Sequence, residues 1–180
     1  MKNSKIHLPV PSLNFHLWEP CNMRCKFCFA TFQDVKATVL PKGHLPKHLA
    51  VELMHIICNT DVDKITFAGG EPTLCPWLYE LVSIAKSYDK TTMIVTNGSR
   101  ITKDWMLKYE KVLDWITLSV DSINDDINLK IGRAITGKKV ISVDDYLAIG
   151  KLISKSKMRF KINTVGLPQP IMKKYLISQF

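Results

Sequence analysis

Long apolar runs are missing from this sequence. None approaches the ~20 residues that cross a bilayer, and Met1-Lys2-Asn3-Ser4-Lys5 leads into no hydrophobic signal core. The expectation is therefore neither a membrane-spanning nor a secreted chain but a cytoplasmic one. Glycine and proline are few, 8 and 9 of 180 residues, which excludes collagen-like and low-complexity classes. Acidic residues all but vanish from the last third. Beyond residue 129 only Asp144 and Asp145 face 11 Lys/Arg, whereas residues 1–129 hold 14 of each sign. The net charge of +9 thus belongs entirely to the carboxy-terminal third. Such a segment is either a solvated helix face or a positive field aimed at a phosphorylated substrate. No nucleic-acid-binding motif accompanies it. With 46% hydrophobic residues the chain can bury a sizeable core as one domain.

Strand-like and helix-like stretches alternate along the chain. Leu13–Trp18, Lys64–Ala68, Thr91–Thr96, Trp115–Val120 and Met158–Val165 read as short buried strands. Lys47–Asn59, Trp77–Ser87, Lys103–Val112 and Asp144–Ser156 carry apolar residues at helical spacing, and Pro46 suits a first turn. Repeating units of this kind predict parallel strands joined by right-handed crossovers. In such sheets ligands sit beyond the carboxyl ends of the strands. The polar, glycine-bearing segments fall there, so the expected architecture is an α/β fold, a partial (β/α) barrel.

Cysteine is the residue whose placement matters most. Five cysteines in a reducing compartment do not predict disulfides. Three of them stand in one short run, Cys21-Asn22-Met23-Arg24-Cys25-Lys26-Phe27-Cys28, in the loop after the first strand. Soft thiolates suit iron, zinc or copper(I). Structural zinc closes its site with four ligands, often as two separated pairs, and no second pair exists here. A four-iron cluster on three cysteines leaves one iron open for a small ligand. Zinc binding or ordinary buried thiols remain the alternatives.

The CxxxCxxC run, with Phe27 before the last cysteine, resembles the signature of the radical S-adenosylmethionine superfamily. That resemblance implies a partial (β/α)6 barrel holding a 4Fe-4S cluster on Cys21, Cys25 and Cys28. S-adenosyl-L-methionine would bind at the open iron and supply a radical that takes hydrogen from a substrate. Gly69-Gly70-Glu71-Pro72 is similar to the family's GGE motif, with Glu71 expected to accept from the methionine ammonium. Asn97 of Thr96-Asn97-Gly98, and Ser119 and Asp121 of Ser119-Val120-Asp121-Ser122, match positions that hold the cofactor's ribose and carboxylate. Arg133 of Ile131-Gly132-Arg133 matches a residue near the cofactor.

Asn14-Phe15-His16, Lys64-Ile65-Thr66-Phe67-Ala68-Gly69-Gly70-Glu71-Pro72, Thr96-Asn97-Gly98-Ser99 and Phe160-Lys161-Ile162-Asn163-Thr164-Val165 bring the resemblance closer, to the viperin-like family. Trp18-Glu19-Pro20-Cys21 and Leu74-Cys75-Pro76-Trp77 look like its prokaryotic branch. The family's activity is dehydration of a ribonucleoside triphosphate to its 3′-deoxy-3′,4′-didehydro analogue, in antiviral defence. Asn14, Lys64 and Lys161 match residues that contact the nucleotide. A reductant such as flavodoxin or ferredoxin is implied, and a monomer without nucleic-acid or membrane partners is expected. The match covers residues 10–165, the expected core domain (1–165), and residues 166–180 read as a divergent tail. On that comparison the barrel lacks its last β/α unit and the expected nucleotide turnover is weak. A maturase acting on a peptide or cofactor precursor, or a non-enzymatic metal-binding module, are the competing readings.

The cysteine assignment is directly testable. Replacing Cys21, Cys25 or Cys28 with Ala should abolish cluster absorbance after anaerobic reconstitution, whereas Cys75→Ser should keep its iron. Full iron content in Cys25→Ala would sink the assignment.

Overall fold

The structure, a computed structural model, describes residues 11–28 and 43–166. Five strands form where β-branched and aromatic residues cluster: β1 (Ser12–Trp18), β2 (Lys64–Gly69), β3 (Thr91–Thr96), β4 (Trp115–Ser119) and β5 (Arg159–Asn163). Between them lie α1 (Lys47–Cys58), α2 (Leu78–Ser87), α3 (Lys103–Tyr109), α4 (Asp125–Lys130) and α5 (Val143–Ser154), with a 3-10 turn at Pro72–Leu74. Every pairing is parallel, and the strands follow chain order, β1-β2-β3-β4-β5. The α/β partial barrel expected from the alternation is therefore present. Residues 167–180, most of the expected tail, lie outside the described residues. Among the described residues no helix is long and apolar enough to cross a membrane.

Strand alternation divides the sheet's two faces. Phe15, Ile65, Phe67, Ile94, Ile116 and Leu118 point toward the helices and join Met54, Leu81, Val82, Ile149 and Ile153 in the core. The intervening positions, among them Asn14, Thr66, Met93, Ser119 and Lys161, face a cavity on the other side. Below it, Asp114 fixes the lower ends of β3 and β4, taking Lys86 Nζ at 2.7 Å and Thr92 N at 2.8 Å. These donors hold the Asp114 carboxyl below its ordinary value, although partial burial works against them.

Local caps explain most helix starts. Thr102 accepts from Trp105 N to open α3, and Ser142 and Asp145 form a capping box on α5. α4 has no counterpart in the sequence reading. It is six residues long and carries no apolar stripe, but Asn124 caps it and Asp125 and Asp126 sit in its first turn. α3 stops at Tyr109, short of the expected Val112, and the Val112 carbonyl instead accepts from Thr92 Oγ1 at 2.7 Å. β5 is an edge strand among the described residues, and Phe160 and Ile162 on its helix-side face are 41% and 54% exposed.

Phe67 is fully buried and meets Phe15 edge-on at 6.4 Å. Phe67→Ala should cost about 3–5 kcal/mol of stability, read from the urea unfolding midpoint; a loss below 1 kcal/mol would contradict this packing.

Candidate functional site

The cysteine loop is held by backbone before any ligand is considered. β1 slips register between His16 and Trp18, which brings Trp18 opposite Gly69. Gly70 N then donates to Trp18 O at 2.6 Å and Glu71 N to Pro20 O at 3.0 Å. A Cβ on Gly70 would stand 1.9 Å from Glu19 O, and one on Gly69, whose φ is +142°, 2.2 Å from Trp18 O. Only glycine fits such an approach. The far side of the loop is clasped in the same way. Arg24 N donates to Gly132 O at 3.1 Å, Lys26 N to Ile131 O at 2.9 Å, and a Cβ on Gly132 would lie 2.0 Å from Arg24 O.

Side chains complete the clasp. Asn22 Oδ1 accepts from Asn97 Nδ2 at 2.9 Å, and Asn22 Nδ2 donates to Ser99 Oγ at 2.9 Å. Thr136 N donates to the Asn22 carbonyl at 2.8 Å. Glu71 ties the ends of β2 and β3 together. Its Oε1 accepts from Thr73 N, Thr73 Oγ1 and Thr96 Oγ1 at 3.0, 2.5 and 2.7 Å, and its Oε2 from Asn97 N at 2.7 Å. Complete burial pushes the Glu71 pKa up, and these donors oppose the shift.

A cavity of about 370 Å³ opens over the carboxyl ends of the strands. Cys21, Cys25 and Cys28 line it together with Phe27, Gly69, Gly70, Asn97, Ser119, Asp121 and Arg133, and with Asn14 and Lys161. Twelve sequence-designated residues thus meet in one place. Two do not. Glu71 is not among the cavity-lining residues; its Oε1 accepts from three protein donors and its Oε2 from one, contacts that organise the loop. Lys64 opens β2 at its amino end, opposite Ser12. It shares the cavity-facing side of the sheet but stands two residues, about 6.6 Å, below the lining residue Thr66. Ligands of a parallel sheet collect at the carboxyl ends of its strands, and Lys64 begins its strand at the other end.

Arg133 is the buried cation of the site, 6% exposed. Its Nη1 makes an ion pair with Asp121 Oδ2 at 3.0 Å and lies 3.9 Å from Cys25 Sγ, while Nη2 donates to the Ser119 carbonyl. Its Nε is buried without a protein partner. Burial raises the pKa of Cys21 and of Cys25, and the Arg133 guanidinium beside Cys25 pulls the other way. Three thiols line the cavity, and a multi-iron cluster, which takes one thiolate per iron and leaves an iron open, fits a three-cysteine donor set. Sequence reasoning did not assign a role to Asn22 or to the Thr96 hydroxyl, neither of which carries a metal-ligand or catalytic signature by itself.

A parallel α/β sheet with a three-cysteine loop over its carboxyl edge defines an iron–sulfur barrel protein. The chain belongs to the radical SAM superfamily, whose family model matches residues 18–173. Members of that superfamily bind a 4Fe-4S cluster and S-adenosylmethionine. The chain is similar to proteins named S-adenosylmethionine-dependent nucleotide dehydratase. It is 54% identical to that of Lacinutrix mariniflava and 53% to that of Flammeovirga pacifica, each over 87% of this chain. A third relative, from a Thermoplasmatales archaeon, is 32% identical over 91% of it. The matches cover 33%, 53% and 55% of those proteins, so the chain spans a third to just over half of their length. Among solved structures, Streptococcus suis SuiB bound to S-adenosylmethionine aligns with a TM-score of 0.62 at 20% identity, over 89% of this chain and 33% of that one. Native anSMEcpe with bound AdoMet aligns equally well, at 0.62 and 20%, over 86% and 43%. At that identity these establish the fold alone.

Gly70→Ala would drive its Cβ into the Glu19 carbonyl. A stability loss of roughly 1–3 kcal/mol is expected, with iron uptake falling alongside it; unchanged unfolding and iron content would show that the backbone clasp is dispensable.

Proposed function

We propose that this chain carries the cofactor-binding core of a nucleotide dehydratase, one that removes water from a ribonucleoside triphosphate to give its 3′-deoxy-3′,4′-didehydro analogue in antiviral defence. The observation that carries the reading is one cavity lined together by three thiols, the Arg133 side chain and a lysine. Cys21, Cys25 and Cys28 would hold the cluster, and the Arg133 guanidinium beside them suits a carboxylate such as that of S-adenosylmethionine. When bound, the two groups supply hydrogen-atom abstraction at a sugar carbon.

The protein's own residues then bind and orient. Gly69, Gly70, Asn97, Ser119 and Asp121 shape the cofactor side of the cavity, and Phe27 covers it. Lys161 presents a cation from β5 and Asn14 an amide from β1, both on the cavity face. These two residues come from the first and last strands of the sheet and so line the cavity from its two edges. Thr66 adds a hydroxyl that is buried, faces the cavity and has no protein partner. Lys64, lower on the same face, extends the positive edge toward a phosphate tail. Cations favour an anionic substrate over an uncharged peptide, and the names of the relatives point the same way. We place the protein in the cytoplasm as a monomer, with a flavodoxin or ferredoxin as reductant.

The test is to reconstitute the chain anaerobically, reduce it, and incubate it with S-adenosylmethionine and each of the four ribonucleoside triphosphates. We expect 5′-deoxyadenosine to rise with at least one nucleotide, together with a product lighter by one water. Cofactor cleavage indifferent to every nucleotide would overturn the substrate class. Zinc in place of iron and sulfide would overturn the enzyme.

A further inference from the structure

Asp121 stands two residues past the end of β4, and its side chain is 2% exposed. Each of its oxygens has a protein partner. Oδ2 pairs with Arg133 Nη1 at 3.0 Å, and Oδ1 accepts from the main-chain N–H of Val165 at 2.8 Å. These partners belong to different parts of the cavity lining. Arg133 lies 3.9 Å from Cys25 Sγ and follows Gly132, whose carbonyl accepts from Arg24 N in the cysteine loop. Val165 lies two residues past β5 and lines the cavity with Lys161 and Asn163 of that strand.

Among the described residues β5 pairs with β4 alone, and four of its five residues are exposed. Strand ends with one neighbour open readily. Three contacts hold this one. Val120 N donates to Asn163 O at 2.9 Å, Thr164 Oγ1 to Val120 O at 2.8 Å, and Val165 N to Asp121. The third is charge-assisted, roughly twice as strong as a neutral hydrogen bond, and its acceptor is withdrawn from water. It also ties the strand's exit to the Arg133 side of the cavity. Lys161, Asn163 and Val165 alternate onto the cavity face, so the strand's exit and its cation share one wall. A cation on an opening strand end has to be ordered when ligand arrives, which lowers affinity.

We propose that Asp121 is a positioning residue for the substrate wall. By bridging Arg133 and the Val165 amide, it fixes the end of β5, and Lys161 with it, relative to the cysteine loop. The inference rests on the role given to Lys161 above.

Val165→Pro removes the amide donor and leaves Asp121 and Arg133 in place, whereas Val165→Ala keeps the amide and trims only the side chain. Each reconstituted protein is dialysed to equilibrium against the four ribonucleoside triphosphates in turn, and separately against S-adenosylmethionine. We expect Val165→Pro to bind the preferred nucleotide about tenfold more weakly. Its S-adenosylmethionine affinity and iron content should match wild type, and Val165→Ala should match wild type for both ligands. Asp121→Ala, which breaks both arms of the bridge, should weaken both ligands. Hydrogen exchange over residues 159–166, read by mass spectrometry without any nucleotide, should be about tenfold faster in Asp121→Ala than in wild type. Wild-type nucleotide affinity in Val165→Pro, or an equal loss for both ligands there, would overturn the proposal while leaving the function intact. Unchanged exchange in Asp121→Ala would overturn the bridge itself. A wild-type chain that binds S-adenosylmethionine but no nucleotide would overturn the substrate reading instead.

Discussion

The site depends on how closely two pieces of backbone can approach. Trp18–Pro20 leads into the cysteine loop, and Gly69–Gly70 leaves β2; they touch along atoms that no side chain could separate. Gly132 repeats the contact on the loop's other flank. A loop carrying three thiolates gains little from its own packing, since its cysteines are only partly buried. Its shape is imposed from outside, by a strand end on one side and a turn on the other. Main-chain hydrogen bonds suit this purpose, because they are obligatory, directional and indifferent to side-chain identity.

Buried polar groups transmit that constraint through the strand ends. Glu71 gathers Thr73, Thr96 and Asn97 around one carboxylate, and Asn97 passes the connection to Asn22 within the cysteine loop. Arg133 performs the equivalent role across β4, joined to Asp121, Ser119 and Cys25. In a low-dielectric interior, satisfied networks of this kind hold one geometry, and a broken member leaves an unpaired group. The cavity wall mixes these polar strand-end groups with the apolar side chains of Ala68, Met93 and Val95.

Much of this was legible beforehand. The period-two apolar runs located all five strands to within two residues, because each strand buries one face against helices. The cysteine spacing, the glycine pair and the strand-end motifs named twelve residues that do line the cavity. Two assignments fared differently for a shared reason. Glu71 sits next to glycines at the cavity, and Lys64 begins a strand that ends there, but adjacency in sequence says nothing about which way a carboxylate turns or which end of a strand meets the ligand. α4 escaped because a short, capped, polar helix has no periodicity to read.

Composition, alternation and the cysteine run determined an α/β chain with a soft-metal loop after its first strand, since these properties depend only on residues close in sequence. The tertiary structure decided which groups are already engaged and which remain free. Glu71 accepts from four protein donors, Arg133 is engaged by Asp121 and the Ser119 carbonyl, and the Tyr146 hydroxyl reaches the ends of β3 and β4. Such contacts join residues far apart in the chain. Their energies come from burial and geometry, which exist only once the strands are side by side.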